Sequence, residues 1–572
     1  LTISDTVSTT ALASADLALG AAADAADIVV GNGGILTANA STVLVNGVTM
    51  TGGTSGTITV TTGAWTVSGS WNTSGLGSTY TQGTGIVTFD ATASITLLST
   101  DNTFDDLTVS AGTSTMASAV VITNTLSITG TLATADFALT TGPMVINNAG
   151  ILTANASTVA AASVTMTGGT SGTIPGTTGA WTVSGSWNTS GAGSVYTQGT
   201  GIVTFDAAAT ITMLSTDNTF DDLTISTGTA TLATNIVVTN GLIVSGGTLA
   251  KSTFTINSGS LTMSGGDLTS TSGNVVVTGA VNISAIGSAI DFGSETWTVS
   301  GAFDCASTDT AVWEAGTGTV TFDSATGDAS FTPCAITTEA HFNNVTFSST
   351  GGTAQTFTFA TNNFRWAGTL TISDTVSTTA VATTDLMLAG GGLTVGNGGI
   401  LTANASTATL ASVTMTGGTS GVITVTTGAW TVSGNWDTGG VGSTYTQGTG
   451  IVTFDAIASI TLLSTDNTFD DLTISAGTAT INTNLVITNT LTISGGTYAK
   501  GTTTLTAGSL TMSGGDMTST SGAVAISGAV NISNAASAID FGSENWTVSG
   551  TWTNASTDAA VWEAGTGTII FD

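Results

Sequence analysis

Three nearly identical turns carry the side chains of this sequence that are best suited to bind a metal ion. Each turn reads TDNTFDDLT, and the copies start at Thr100, Thr216 and Thr465. Clustered carboxylates, together with Asn and backbone carbonyls, are the hard oxygen ligands that Ca²⁺ takes. Asp and Asn are also ordinary turn formers, and no EF-hand pattern occurs. We therefore expect no obligatory cofactor and treat these carboxylates as candidate calcium ligands: Asp101, Asp105, Asp106, Asp217, Asp221, Asp222, Asp466, Asp470 and Asp471.

The two cysteines, Cys305 and Cys334, lie in the same irregular part of the chain. An even number of cysteines in an exported chain favours a disulfide, and adjacent turns of a repeat structure can bring the two together. Buried free thiols are the alternative. His341 follows them with no second histidine in the chain, so it is a weak metal or catalytic signal.

Tryptophan leads every copy of the longest repeated stretch. In three copies a second tryptophan and a tyrosine follow, as in Trp71 and Tyr80. Exposed aromatic rows can stack on sugars, but large aromatic side chains also dominate packing energies, and core filling is the interpretation we favour. The leading residues of the expected aromatic ladder are Trp65, Trp181, Trp297, Trp430 and Trp546.

The charge balance excludes several classes of partner. Lys251, Arg365 and Lys500 are the only basic residues against 35 acidic ones, and the net charge is −32. Nucleic-acid and anionic-membrane binding both need Lys and Arg, so we expect neither partner. Lys251 and Lys500 occupy equivalent repeat positions; we expect solvated surface lysines, with an isopeptide bond or an inter-subunit contact as the alternatives. No apolar run is long enough for a transmembrane helix, so we expect no membrane insertion.

Ten N-x-S/T sequons occur in the chain. In an exported protein such asparagines are candidate glycosylation sites, although a Ser- and Thr-rich sequence also produces sequons by chance. The ten positions are Asn39, Asn72, Asn155, Asn188, Asn282, Asn344, Asn404, Asn531, Asn545 and Asn554.

Long repeats organise these residues. The leading tryptophans are spaced by 116, 116, 133 and 116 residues, and a fixed long period is typical of repeat architectures. Three copies are of one type (A), and two are of a second type (B), in the order A-A-B-A-B. The predicted modules are 1–120 (A), 121–236 (A), 237–369 (B, with an insert carrying both cysteines), 370–485 (A) and 486–572 (B, truncated), in one continuous solenoid.

A shorter period runs inside each module. LTIS, LTMS, VNIS and WTVS start at Leu491, Leu510, Val530 and Trp546, in steps of 19, 20 and 16 residues. The residues alternate between Val, Ile or Leu and Thr or Ser, which predicts short strands. We predict an all-β, parallel β-solenoid with about 19 residues per coil and some 30 coils. On this basis 116 residues make six coils, so each tryptophan should return to the same side. Tandem β-sandwich domains are the alternative.

A family resemblance supports this architecture. The box GTGTVTFD at Gly316–Asp323 and the segment DNTFDDLTV at Asp101–Val109 resemble repeats of large secreted β-strand-repeat surface proteins. Those proteins belong to the filamentous-haemagglutinin-like and autotransporter-passenger class of right-handed β-helices. The resemblance implies an exported surface protein with an adhesion, filament or envelope role. Because the chain begins and ends inside repeats, we expect it to be a fragment of a longer protein.

The inventory of catalytic residue types is small. One histidine and three Lys or Arg residues occur in 572 residues, and no G-x-S-x-G or H-E-x-x-H motif is present, so we predict that the protein is not an enzyme. We predict an extracellular structural protein, a subunit of a cell-surface filament, stalk or envelope layer, that associates with itself end to end or laterally. An adhesin that binds surface glycans or neighbouring cells is the alternative. An ice-binding threonine face is a weaker one, because a strict T-x-T in every coil is missing.

Overall fold

The structure is a computed structural model of the chain. It describes residues 1–4, 9–13, 17–18, 26–50, 53, 56–60, 62–166, 172–311, 313–324, 327–349, 354–359, 363–373, 378–382, 387–415, 421–559 and 562–572. The regular secondary structure of these residues is β-strand, without a helix.

The strands form because apolar residues alternate with Thr or Ser. Trp65–Val67 and Trp181–Val183 both read WTV, and in each the outer residues are buried while the central Thr is half-exposed. A period of two places alternate side chains on opposite faces of a strand. Each strand therefore contributes Val, Ile, Leu or an aromatic residue to the interior and a hydroxyl to the outside.

Neighbouring strands pair in parallel from one coil to the next. Trp65, for example, lies beside Val43 of the coil before it and Val87 of the coil after it. This arrangement confirms the predicted parallel β-solenoid, which has about 24 turns. It excludes the tandem β-sandwich alternative, since the sheets of a sandwich are antiparallel.

The coils group into two compact units, Leu1–Gly273 and Asn274–Asp572. The strands of the first unit are Thr2–Ile3, Thr9–Leu12, Leu17–Ala18, Ile28–Val30, Gly34–Asn39, Val43–Val45, Val48–Met50, Thr57–Val60, Trp65–Val67, Trp71–Asn72, Thr79–Thr81, Ile86–Phe89, Ala93–Thr96, Thr103–Phe104, Asp106–Val109, Thr113–Met116, Val120–Ile122, Leu126–Ile128, Thr131–Ala133, Leu139–Ile146, Ile151–Thr153, Val159–Met166, Thr173–Ile174, Trp181–Val183, Trp187–Thr189, Val195–Tyr196, Ile202–Phe205, Ala209–Met213, Thr219–Phe220, Asp222–Ile225, Thr229–Leu232, Ile236–Val244, Thr248–Ser252, Ile256–Met263 and Asp267–Ser270.

The second unit is built in the same way. Its strands are Val275–Val277, Val281–Ile283, Thr296–Val299, Phe303–Cys305, Thr319–Asp323, Ala329–Thr332, Asn344–Ser348, Gln355–Phe359, Phe364–Ile372, Thr378–Ala382, Met387–Val395, Gly399–Asn404, Thr407–Met415, Val422–Val425, Trp430–Val432, Trp436–Thr438, Thr444–Gln447, Ile451–Phe454, Ala458–Leu462, Thr468–Phe469, Asp471–Ile474, Thr478–Ile481, Leu485–Ile493, Thr497–Gly501, Leu505–Met512, Asp516–Ser519, Val524–Ile526, Val530–Ile532, Trp546–Val548, Trp552–Asn554 and Ile569–Phe571.

Coil length varies, from just under the predicted value of about 19 residues to well above it. The step between paired residues is 18 from Leu126 to Met144 and 28 from Phe303 to Phe331. The short steps occur in segments that carry the sequence period of about 19 residues, and the long steps occur beside stretches rich in tryptophan and phenylalanine. The longer average coil explains why the chain makes about 24 turns and not 30.

The tryptophans do not return to the same side after one sequence repeat, so that prediction is wrong. Six coils lead from Trp65 to Trp187, which is the second tryptophan of the next copy and lies six residues beyond Trp181. The steps pass through Val87, Leu107, Leu126, Met144 and Val164. Six complete coils take 122 residues here, whereas the sequence repeat takes 116. The second module therefore starts one side of the coil earlier than the first.

The second unit shows the same displacement twice. Six coils lead from Trp297 to Trp436 through Val320, Val345, Leu370, Leu393 and Val413. Six coils also lead from Trp430 to Trp552 through Val452, Leu472, Leu491, Leu510 and Val530. Trp546 belongs to a third ladder, stacked on Val524 and Leu505. The three leading tryptophans of this unit thus lie on three different ladders.

Candidate functional site

The acidic turn of the first module connects three successive coils. Asp101 accepts a hydrogen bond from the backbone N–H of Tyr80, in the coil before. Asp105 accepts one from the Thr123 hydroxyl at 3.0 Å, and Asp106 accepts one from the Thr125 N–H at 2.9 Å, both in the coil after. Carboxylates that accept backbone N–H bonds satisfy donors at corners where the strand ladder is interrupted. The turn therefore has a structural role in holding neighbouring coils together.

The other acidic turns use the same donors with small variations. Asp466 accepts from the Tyr445 N–H, as Asp101 does from Tyr80. Asp222 and Asp471 each accept a backbone N–H of the next coil at 2.9 Å, from Gly241 and Thr490. Asp221 accepts from the Gln198 amide at 3.1 Å and from the Thr239 hydroxyl at 3.0 Å, and Asp470 accepts from Thr488 at 2.7 Å.

A shallow polar groove of about 290 Å³ lies over the first acidic turn, lined by Tyr80, Gln82, Asp101, Asp105 and Thr123 among others. Partial burial raises the pKa of Asp101, and the hydrogen bond from the Tyr80 N–H opposes that shift. Within the described ranges no three His, Cys, Asp or Glu side chains gather into a group that could hold a metal ion. Calcium binding at these turns remains a prediction.

Ten of the twelve tryptophans are buried in the interior of the coils, whereas Trp552 and Trp562 are half-exposed. Trp65, Trp71 and Trp436 have no exposed surface, and Trp71 packs edge-on against Tyr80 with ring centroids 5.0 Å apart. Side chains at these positions cannot stack on a sugar, so core filling accounts for them. The five leading tryptophans also do not form one aromatic ladder, because those within each unit lie on different ladders.

In each B-type module the leading tryptophan donates its indole N–H to a buried glutamate. Trp297 donates to Glu295 and Trp546 donates to Glu544, each at 3.0 Å. The acid stands two residues before the tryptophan, so strand alternation places both side chains on the inward face. This spacing is visible in the sequence, and it is the signal that would have identified the two buried glutamates.

A disulfide joins Cys305 and Cys334 in the structure, with the two Cα atoms 4.5 Å apart. Fully buried His341 lies close to it, and the His341 Nε2–H donates to the Cys334 carbonyl at 2.9 Å. His341 Nδ1 accepts from the Arg365 backbone N–H at 3.1 Å, and the Trp313 indole donates to the His341 carbonyl at 3.0 Å. These contacts give the histidine a structural role in closing the insert.

His341 should make the protein sensitive to mild acid. Burial lowers its pKa from the ordinary 6.5, because the charged imidazolium loses its hydration. As the pH falls, the unfolded chain therefore binds this proton before the folded chain does. The contribution of neutral His341 to the free energy of unfolding is fully present above pH 6.5 and is lost progressively below it. We expect the melting temperature of the native protein to fall between about pH 7 and pH 5.

The control for this prediction is His341→Gln, whose amide can donate and accept in the positions of the two imidazole nitrogens. This variant should show a flatter melting temperature over the same pH range. An unchanged pH dependence in His341→Gln would assign the acid sensitivity to carboxylates elsewhere.

The lysines are buried, so the expectation of solvated surface lysines is wrong. Lys251 and Lys500 have no exposed surface, and each ammonium group donates hydrogen bonds to three backbone carbonyls. Lys500 Nζ also lies 3.7 Å from the carboxylate of Glu544. A sequence signal was present: Lys251 and Lys500 stand two residues after buried Leu249 and Tyr498, on the inward face of the same strand.

The sequons differ in accessibility. Asn72, Asn155, Asn282, Asn531, Asn545 and Asn554 are exposed, whereas Asn39, Asn188, Asn344 and Asn404 are half-buried. Asn39, Asn155 and Asn404 have positive φ angles of 52°, 46° and 50°. Asn tolerates this left-handed conformation better than most residues, so these three are explained as corner residues whether or not they carry a glycan.

Outward positions form hydroxyl ladders of unexpected regularity. Threonine stands at the same outward position in six consecutive coils of the second unit, at Thr298, Thr321, Thr346, Thr371, Thr394 and Thr414. All six are half-exposed. Flanking outward positions include Asn344, Gly392 and Ser412, so a full T-x-T array is not kept in every coil. An ice-binding face remains an untested alternative.

No protein-family model, no curated protein and no solved structure matches the chain. The described part of the chain also contains no helix that is long and apolar enough to cross a membrane.

Proposed function

We propose that this chain is a non-enzymatic extracellular structural protein, a subunit of a cell-surface filament, stalk or envelope layer. The observation that carries the proposal is the stacking of coils within each unit by parallel strand pairs around a filled aromatic and aliphatic interior. Backbone hydrogen bonds repeated in every coil resist bending and shear, which suits a load-bearing element better than a binding pocket. The resemblance to filamentous-haemagglutinin-like and autotransporter-passenger repeats agrees with this role.

The titratable groups of the interior also favour a structural role. Lys500 and Glu544 pair with each other, and His341 is held between two backbone groups. General acid–base catalysis needs such groups to reach a substrate, whereas these are enclosed.

The outward charge predicts how self-association should respond to ions. Lys251 and Lys500 are buried, which leaves half-buried Arg365 as the remaining basic side chain against 35 acidic residues. Copies of the chain therefore repel one another at low ionic strength, and salt or divalent cations should weaken that repulsion.

Electron microscopy and sedimentation velocity of the purified chain test the proposal. We expect long or sheet-like ordered assemblies that form more readily with millimolar Mg²⁺ or Ca²⁺ than with a chelator. A variant with Asp105→Asn, Asp221→Asn and Asp470→Asn separates screening from specific binding. If Ca²⁺ acts at the acidic turns, this variant should lose the advantage of Ca²⁺ over Mg²⁺ and keep the response to salt.

An adhesin is the second candidate. A polar groove of about 540 Å³ in the second unit favours it, with Thr480, Asn482, Thr518 and Asp540 among its lining residues. Hydroxyl, amide and carboxylate groups in one groove can hydrogen-bond to a glycan. Isolated particles of one size under every ionic condition would contradict the structural proposal and favour the adhesin.

A further inference from the structure

The environment of the two buried ammonium groups is that of a cation site. Lys500 Nζ donates to the carbonyl oxygens of Thr503 at 2.5 Å, Ser521 at 2.6 Å and Gly522 at 3.2 Å. Lys251 Nζ makes equivalent contacts of 2.6 to 2.9 Å with the carbonyl oxygens of Phe254, Ser272 and Gly273. Proteins also hold free monovalent cations with converging backbone carbonyls. The same arrangement thus occurs twice, once in each unit.

The backbone of this corner does not depend on the lysine. Gly501, next to Lys500, has a φ of 59°, and the Thr503 N–H donates to the Lys500 carbonyl at 3.3 Å. The A-type corner at Ala403 has the same turn: Asn404 has a φ of 50°, and the Ser406 N–H donates to the Ala403 carbonyl at 2.9 Å. Because alanine supports this turn, truncating the lysine should leave the local backbone in place.

A glycine in the next coil completes each set of three carbonyl groups around a lysine ammonium, which we call the cage. Gly522 has a φ of +88°, and a Cβ atom there would lie 2.4 Å from the Thr503 carbonyl oxygen. Gly273 has a φ of +87° and the same 2.4 Å approach, to Thr253. Only glycine fits this combination of left-handed backbone and close contact. The glycine allows the carbonyls of the following coil to turn toward the ammonium group.

Charge makes the cage selective for a cation. The Lys500 and Glu544 side chains are fully enclosed, and Glu544 also accepts hydrogen bonds from Ser519 and Trp546. Removing the ammonium group would leave a buried carboxylate and three carbonyls without their positive partner. Groups of this kind are costly to leave unpaired, so a small cation that restores the contacts would be retained.

We propose that the carbonyl groups around Lys251 and around Lys500, one set in each B-type module, form a binding site for a monovalent ammonium-type cation. The native chain fills each site with its own lysine. Vacating the cage by Lys500→Ala opens the site to free ammonium or methylammonium. The proposal is independent of the filament role, since it concerns a site inside one chain.

Thermal unfolding of full-length Lys500→Ala at neutral pH tests the proposal. We expect a lower melting temperature than that of the native chain in sodium chloride, and a specific recovery in ammonium or methylammonium chloride at equal ionic strength. The recovery should grow with the logarithm of ammonium concentration, as linkage to a bound ligand requires. Tetramethylammonium cannot donate hydrogen bonds and should behave like sodium.

Two controls keep the outcome decisive. Lys500→Met keeps most of the side-chain volume without the charge, so it should not respond to ammonium; the native chain should not respond either. Equal melting temperatures of Lys500→Ala in sodium and ammonium would overturn the proposal, as would failure of ammonium to restore a variant that does not fold. An intact mass of the native chain lower by one water would also overturn it, since that mass indicates an amide bond between Lys500 and Glu544.

Discussion

Replacing Trp436 by alanine should destabilise the second unit by about 3–5 kcal/mol, the usual cost of removing a buried tryptophan. Trp436 has no exposed surface and stacks between Val413 and Ile460 of the adjoining coils. Its ring also packs against Tyr445 and Phe469, with centroids 4.9 and 5.5 Å away. Alanine would leave a cavity that parallel strands on both sides prevent from collapsing. Urea unfolding monitored by circular dichroism measures the loss.

Two matched variants locate the effect in the interior. Asp437 is the next residue of the same strand and is exposed, and its carboxylate accepts only a local hydrogen bond from the Gly439 N–H at 3.0 Å, so Asp437→Ala should cost no more than about 1 kcal/mol. Trp552 lies on the ladder of Trp430 but is half-exposed, so Trp552→Ala should cost less than Trp436→Ala. Equal losses for Trp436→Ala and Asp437→Ala would contradict the packing argument.

Deleting one sequence repeat should leave a folded protein, whereas deleting six complete coils should not. Removal of residues 65–180 joins Ala64 to Trp181, so Trp181, Trp187 and Tyr196 take the places of Trp65, Trp71 and Tyr80 with identical spacing. The strands and corners of this coil then match the coil before it. We expect cooperative thermal unfolding within a few degrees of the parent.

Removal of residues 65–186 keeps the ladder, since six coils separate Trp65 from Trp187, but it mismatches the corners. Trp187 would then stack on Val43. In the coil of Val43 the next strand begins five residues later, at Val48, whereas in the coil of Trp187 the next strand begins eight residues later, at Val195. Parallel strands pair only when successive corners have compatible lengths. We expect loss of cooperative unfolding and exposure of apolar surface to a hydrophobic dye. Equal stability of the two deletions would show that corner length does not control stacking.

The fold class and the inward face of most strands could be predicted from the sequence. WTV at Trp65 and at Trp430 alternates buried and outward residues, and a period of two needs no knowledge of the partner strand. The pairing of Cys305 with Cys334 followed from the even number of cysteines, and the structure joins them. Asp and Asn in TDNTFDDLT also identify the acidic segments as turns. The donors that their carboxylates contact lie about one coil away, which local sequence does not specify.

Alternation alone determined that Trp65 and Lys500 face inward, because the direction of a side chain is a local property of the strand. Tertiary structure decided what they meet there. Whether an inward lysine finds carbonyls and a carboxylate depends on the coils that follow it, and the length of each coil is set by the register in which its strands pair with neighbouring coils. For that reason the 116-residue repeat appeared to close after six coils, whereas six coils require 122 residues and carry Trp65 to Trp187. Only the accumulated register of parallel pairs shows this displacement.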